Sequence, residues 1–405
     1  MRLHRNLVFA TIDALSDIFN EGNYAAKVIE KTLKRDKRWG SRDRSFIAET
    51  VYEIVRWKRL YTEIAEVKAP YSRENLFRVF AVWATLRGVT LPDWKQIEPT
   101  PSRKIKGKFD ELSRIRKYRE SVPDWMDELG VKELGEKVWE KEIHALNEQA
   151  PVVLRVNTLT TTRDNLRSIL NDEGVKTEPV KGYPNALQLD ERSNVFITQA
   201  FKKGFFEVQD ANSQLVAEFL DVKPGMRVVD TCAGAGGKTL HIAALMENKG
   251  QIIATDIYEN KLKELKRRAK RAHAHNIDPR AIESTKVIKK LYGTADRVLI
   301  DAPCSGLGVL SRNPDAKWKL QPEFIDEIKK TQAEILDTYS RIVKPGGKMV
   351  YATCSILPSE NQEQVEKFLA SENGKNFKLV KDKKLLSSES GYDGFYMALL
   401  ENTSK

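Results

Sequence analysis

The chain has 405 residues, enough for two or three domains with apolar cores of their own. Its formal net charge of +11 fits a polyanionic partner or simply a lysine-rich surface, and charge by itself does not separate the two. No apolar run is long enough to span a bilayer, and Met1-Arg-Leu-His-Arg-Asn6 leads into no apolar signal region, so a cytoplasmic protein is expected.

Residues 1–145 read as a helical domain. Leu7, Ile12, Leu15, Ile18 and Phe19 recur at helical spacing, as do Ala25, Val28, Ile29, Thr32 and Leu33, then Phe46 to Val55, then Leu76 to Leu86. Arg35, Lys37, Arg38, Arg42, Arg44, Arg56, Lys58 and Arg59 surround the helix junctions, either to contact phosphates or as solvated charge. The stretch from Pro92 to Arg119, with Pro99, Pro101 and Arg103-Lys-Ile-Lys-Gly-Lys108, reads as a connection with some helix. Residues 146–204 read as a small α/β unit. A strand at Pro151-Val-Val-Leu-Arg-Val-Asn157 precedes a helix capped by Thr162, and short strands follow near Leu187 and Val195. Residues 205–405 read as alternating strands and helices. Strands are expected at 226–231, 252–255, 298–300 and 348–353, with a weaker one near Val287, and helices at 213–220, 260–273 and 322–342. This is the pattern of a doubly wound α/β sheet, in which ligands bind outside the carboxyl ends of the strands.

Asp230-Thr-Cys-Ala-Gly-Ala-Gly-Gly-Lys-Thr239 lies between the first of these strands and a helix. A P-loop needs a glycine where Cys232 stands, and a dinucleotide fingerprint needs one where Thr239 stands, so the turn fits neither phosphate-binding pattern. Asp256 ends the next apolar run, where a carboxylate can take the hydroxyls of a ribose. An adenosine without phosphate, as in S-adenosylmethionine, suits this arrangement.

Cys232, Cys304 and Cys354 form neither a metal-ligand spacing nor a disulfide framework, and no metal is expected. Each follows a strand end on the ligand edge. A lone cysteine is more often a small buried hydrophobe. Three at one edge, with Asp301 and Lys238, suit a different chemistry. Carbon 5 of a pyrimidine is a poor nucleophile until a thiolate adds to carbon 6 and makes carbon 5 enamine-like. Asp301 is placed to hydrogen-bond the ring nitrogen, and a cation such as Lys238 favours the thiolate.

Asp230–Thr239, Asp301-Ala-Pro-Cys-Ser-Gly306 and Thr353-Cys-Ser355 resemble the motifs of the Sun/Fmu family of RNA cytosine-5 methyltransferases. Leu154-Arg-Val-Asn157, Val208-Gln-Asp210 and Asp393-Gly-Phe395 support the match over roughly residues 120–400. Asp43-Arg-Ser-Phe-Ile47 and Val51-Tyr-Glu-Ile-Val-Arg56 resemble the NusB-like domain of the bacterial 16S rRNA branch. The resemblance implies a Rossmann-like class I methyltransferase domain, a small α/β subdomain and an all-α NusB-like RNA-binding domain. It implies Cys354 as nucleophile, Cys304 in product release, Asp301 on the cytosine and Lys238 in support; thiol chemistry alone does not order the two cysteines. It also implies that Cys232, Ala233, Gly234, Ala235, Gly236, Gly237 and Lys238 hold S-adenosylmethionine with Asp256, Glu283 and Asp301. The family usually reads Cys-Ala-Ala-Pro-Gly-Gly-Lys at this loop, so Gly234 and Ala235 depart from it. The implied partner is RNA, with 16S rRNA ahead of tRNA or another RNA, and the implied form is a monomer. Two other readings stay open: a methyltransferase on protein or a small molecule, and a non-catalytic RNA-binding assembly factor. The basic helix face of Lys261, Lys263, Lys266, Arg267, Arg268, Lys270 and Arg271 either contacts phosphates or is solvated. Arg312-Asn-Pro-Asp-Ala-Lys-Trp318 either lines a base pocket or packs.

Overall fold

The computed structural model describes residues 3–97 and 100–405, so Pro99 and the first two residues of the N-terminal basic stretch lie outside the described residues. The chain divides into two compact units: Met1–Glu148 with Leu310–Pro322, and Gln149–Val309 with Glu323–Lys405.

The first unit is built from helices. Arg5–Phe19, Ala25–Leu33, Ser41–Arg56, Lys58–Ile64 and Arg73–Leu86 each turn an apolar stripe inward, and Leu15, Ile47, Ile54 and Phe80 are fully buried where the stripes meet. The stretch after Pro92 carries the helix Ser102–Leu112 and the single turn Arg116–Arg119. Several junction cations serve this unit's own backbone. Arg44 donates to the carbonyls of Trp39 and Leu33, Arg59 to the Val122 carbonyl and Asp124, and Arg38 pairs with Asp36. Leu310–Pro322 belongs to the same unit. The Trp318 indole N–H donates to the Val55 carbonyl at 2.6 Å, and the buried Lys317 ammonium donates to the Arg56 carbonyl at 2.8 Å and Asn147 Oδ1 at 2.9 Å. Trp318 therefore packs among helices.

The second unit holds two sheets. The smaller is antiparallel, in the order β2-β3-β1-β4, with β1 Val153–Val156, β2 Thr177–Pro179, β3 Ala186–Leu189 and β4 Phe206–Val208. It takes β4 from beyond the boundary expected at residue 204. Thr162 caps the helix Arg163–Asp172 by accepting the Asn165 N–H. The strand expected near Val195 is instead a 3-10 turn, Val195–Ile197, because the Asn194 side chain accepts the Phe196 N–H and closes it. A run this short has no period to distinguish the two.

The larger sheet has seven strands in the order β10-β11-β9-β8-β5-β6-β7. The strands are β5 Arg227–Asp230, β6 Gln251–Asp256, β7 Ile277–Ala281, β8 Ala295–Asp301, β9 Val343–Thr353, β10 Phe377–Leu385 and β11 Phe395–Asn402. β5 to β9 pair in parallel, and β11 runs antiparallel to β9 and β10. The weak strand expected near Val287 is the helix Thr285–Lys289. The strand β7 sits just before it, and its Asp278-Pro279-Arg280 hides it from an apolar pattern. As an edge strand it tolerates a proline that an interior strand would not. Alternation along β5 and β6 sends Val228 and Ile252 into one core with Leu240, Leu262 and Leu265, and Val229 and Ile253 into another with Leu336, Val365 and Phe368. This two-faced burial fixes the register and so sets all carboxyl ends of the parallel strands on one edge. No helix among the described residues is long and apolar enough to cross a membrane.

Candidate active site

The loop after β5 is shaped by two glycines with positive φ. Gly234 has φ +54 with open space beside it. Gly236 has φ +87, and a side chain there would meet Leu265 Cγ at 2.7 Å. Gly236 thus lets the helix Gly237–Leu245 start close against its neighbour. Two arginines hold the loop's carbonyls from outside. Arg268 donates to the Ala235 carbonyl at 2.8 Å and Arg155 to the Gly237 carbonyl at 2.5 Å. Glu207 on β4 takes an ion pair from Arg268 at 2.9 Å and another from Arg271.

A cavity of about 640 Å³ opens above this loop, lined by Asp230, Cys232, Ala233, Gly234, Ala235, Gly237, Lys238, Asp256 and Asp301 among others. Gly236 and Glu283 are not in its lining. Gly236 faces Leu265, and Glu283 is exposed while its neighbour Ile282 takes the place in the wall. At the cavity floor Asp230 is 1% exposed; one carboxylate oxygen accepts the Thr239 hydroxyl at 2.7 Å and the other has no partner. Burial pushes its carboxyl up to about 7, with the charge of Asp301 adding to the shift and the Thr239 bond opposing it. Each Asp256 oxygen takes one backbone N–H, from Gly234 and from Tyr258, both at 2.8 Å.

Cys304, past the end of β8, and Cys354, past the end of β9, bring their sulfurs to 3.2 Å. The contact with Cys354, then burial, raises the Cys304 thiol well above the ordinary range. Cys232 lies apart from this pair, its sulfur 4.0 Å from Thr231 Oγ1, and burial followed by the charges of Asp230 and Asp301 pushes it up to about 12. A thiol held neutral in this way is a poor nucleophile. Lys238 Nζ lies 2.7 Å from Asp301 Oδ2. Burial pulls the ammonium down, yet the Asp301 charge and hydrogen bond outweigh it and the net shift is upward.

Sequence reasoning missed the buried groups that tie these loops together. Glu360 is fully buried and accepts from the hydroxyls of Ser305 and Ser355, both at 2.5 Å, from the Ser305 N–H at 2.8 Å and from Gln332 Nε2 at 2.9 Å. Asn361 brackets Cys354, accepting the Thr353 hydroxyl at 2.5 Å and donating to the Ser355 carbonyl at 2.9 Å. Gly308 donates its N–H to the Cys354 carbonyl at 2.9 Å, in a gap where a Cβ would lie 2.3 Å from the Gly394 carbonyl. A carboxylate close after a Thr-Cys-Ser stretch was the available signal. On the basic helix Glu259–Arg271, Arg268 and Arg271 are taken by Glu207, Lys263 pairs with Glu259, and Arg267 pairs with Glu264. Those four cations are engaged within the fold.

A parallel sheet with one antiparallel strand inserted near its edge, a glycine loop after its central strand and an acid ending the next strand define the Rossmann-like fold of class I methyltransferases. Residues 217–401 match the family described as 16S rRNA methyltransferase RsmB/F, and residues 122–196 match the ferredoxin-like domain of RsmF/B-like methyltransferases. The chain is thus similar to the RsmB/F methyltransferases over residues 122–196 and 217–401. Ribosomal RNA small subunit methyltransferase B of Salmonella paratyphi A is 40% identical over 235 residues, 57% of this chain and 54% of that protein. The chain thus spans about half the length of the curated relatives it matches. The solved structure of PH0851 covers 99% of both chains at 26% identity with a TM-score of 0.84. A methyltransferase homologue from Pyrococcus horikoshii covers 72% of this chain and 99% of its own at 26% identity, with a TM-score of 0.63.

Proposed function

We propose that this protein methylates carbon 5 of a cytosine in RNA, with 16S rRNA as the substrate, through a covalent adduct between Cys354 and carbon 6. The observation that carries the reading is the pair of thiols at 3.2 Å on the sheet edge that also bears the Lys238–Asp301 ion pair. The relatives' name supports the choice of small-subunit rRNA.

The cavity suits S-adenosylmethionine. The unpartnered Asp230 oxygen is a buried acceptor for a ligand's ammonium, Gly234 and Gly237 leave open space over the loop, and each Asp256 oxygen keeps a lone pair for a ribose hydroxyl. The cofactor supplies an electrophilic methyl group. Cys354, as thiolate, adds to carbon 6 and makes carbon 5 nucleophilic. Asp301 accepts a hydrogen bond from the ring nitrogen once that nitrogen takes up a proton in the adduct, and Lys238 holds Asp301 in position. Cys304, kept as a thiol by its contact with Cys354 and by burial, passes its proton to the Cys354 sulfur as the bond to carbon 6 breaks and takes up the carbon 5 proton as the carbon 5–carbon 6 double bond re-forms.

Replacing Cys354 with Ala tests the nucleophile. Bisulfite sequencing of small-subunit rRNA from cells carrying only C354A should show no methylation at the target cytosine. Wild-type levels would assign the nucleophile elsewhere.

A further inference from the structure

We propose that Glu360 is a positioning residue that sets the separation of the Cys304 and Cys354 sulfurs, and so controls how readily the covalent adduct is resolved. The inference rests on the reading above for the roles of the two thiols, but its geometric part stands without it.

Cys304 and Cys354 are 50 positions apart and lie on separate loops, so neither loop's local conformation fixes their distance. Each cysteine is followed by a serine, and both serine hydroxyls converge on one oxygen of Glu360 at 2.5 Å. The two hydroxyls also lie 3.2 Å from each other, nearly matching the separation of the adjacent sulfurs. The second carboxylate oxygen takes the Ser305 backbone N–H and Gln332 Nε2 from the helix Pro322–Ser340. The Glu360 carbonyl accepts the Tyr351 hydroxyl at 2.7 Å, which anchors the residue to β9. One buried carboxylate therefore receives four donors from three segments of chain. Charge-assisted bonds of this kind are short and strong, and they lose most when one side is removed from a buried site. Glu360 does not line the cofactor cavity. Its effect should fall on the thiols and leave cofactor binding alone.

Glu360→Gln keeps the size but offers one acceptor and one donor group where four donors need accepting. Ser355→Ala removes a single hydroxyl and leaves the carboxylate with three donors, which keeps the test alive if the first variant does not fold. The first readout is thiol proximity. Diamide, an azo oxidant, takes the two protons and two electrons of Cys304 and Cys354 to become a hydrazine, and a sulfur–sulfur bond forms. Intact mass then falls by about 2 Da, and peptide mapping locates the bond. Both variants should form this disulfide about fivefold more slowly than wild type, because the sulfurs no longer rest in contact. The second readout is turnover at unchanged cofactor affinity. A misplacement approaching an ångström lowers kcat by roughly tenfold to a hundredfold. The third is the fraction of protein held as RNA adduct, which should rise in both variants toward that of Cys304→Ala. Wild-type disulfide rates and wild-type turnover in both variants would overturn the proposal. If Cys304→Ala itself holds no adduct, the assigned roles of the thiols fail, and the disulfide rates still decide the role of Glu360.

Discussion

Asp230 illustrates how burial assigns a residue its task. Its carboxyl sits at about 7 in the fold against 3.8 for an ordinary aspartate, chiefly because it is buried. Between those values the folded state binds more protons than the unfolded chain, so this residue makes stability fall as pH rises from about 4 to about 7. Asp230→Asn removes that slope while leaving an acceptor for the Thr239 hydroxyl. In denaturant unfolding without cofactor, the variant should gain on wild type as pH is raised from about 5 to about 8. A gap between the two that does not change with pH would contradict the burial argument. The cost also explains why an acid is kept there: a cationic ligand group at the free oxygen would compensate it.

At the scale of elements, the glycine loop and its arginine supports act together. Gly234 and Gly236 both have positive φ, but only Gly236 is crowded. Gly234→Ala should cost roughly 1 kcal/mol for the left-handed conformation alone. Gly236→Ala adds the collision with Leu265, so it should lower the melting temperature further and weaken cofactor binding, as read by calorimetry. Equal effects from the two changes would show that the loop does not follow this path. The loop, the strand-ending acids and the three cysteines were legible in the sequence because each stands at or just past the end of an apolar strand run. Glu360 was not, since nothing local shows that two serines 50 residues apart share one carboxylate. Arg155 was legible only as part of a family motif; its contact with the Gly237 carbonyl is made across 82 positions. β7 was hidden by its polar edge composition, and β10 by lysines that an edge strand can carry.

At the scale of the whole molecule, chain order and compact units do not coincide. Leu310–Pro322 follows the Pro-Cys loop in sequence but is a working part of the helical unit, where Lys317 satisfies buried acceptors on Arg56 and Asn147. Without the segment those acceptors lose a donor, and each unsatisfied buried group costs about 1–3 kcal/mol. Residues 1–148 expressed alone should therefore melt below the same residues joined to 310–322 through a flexible linker. Identical melting by circular dichroism would show that the segment contributes nothing to that unit.

The central claim is that Cys354 carries the covalent bond to RNA and Cys304 lets it go. Cys304→Ala protein incubated with small-subunit rRNA and S-adenosylmethionine, then run on a denaturing gel, tests it most directly. The account predicts a slow-migrating, nuclease-sensitive band that disappears when Cys354 is also replaced by Ala. A Cys304→Ala protein that turns over without any such band, or a band that survives in the double variant, would contradict it.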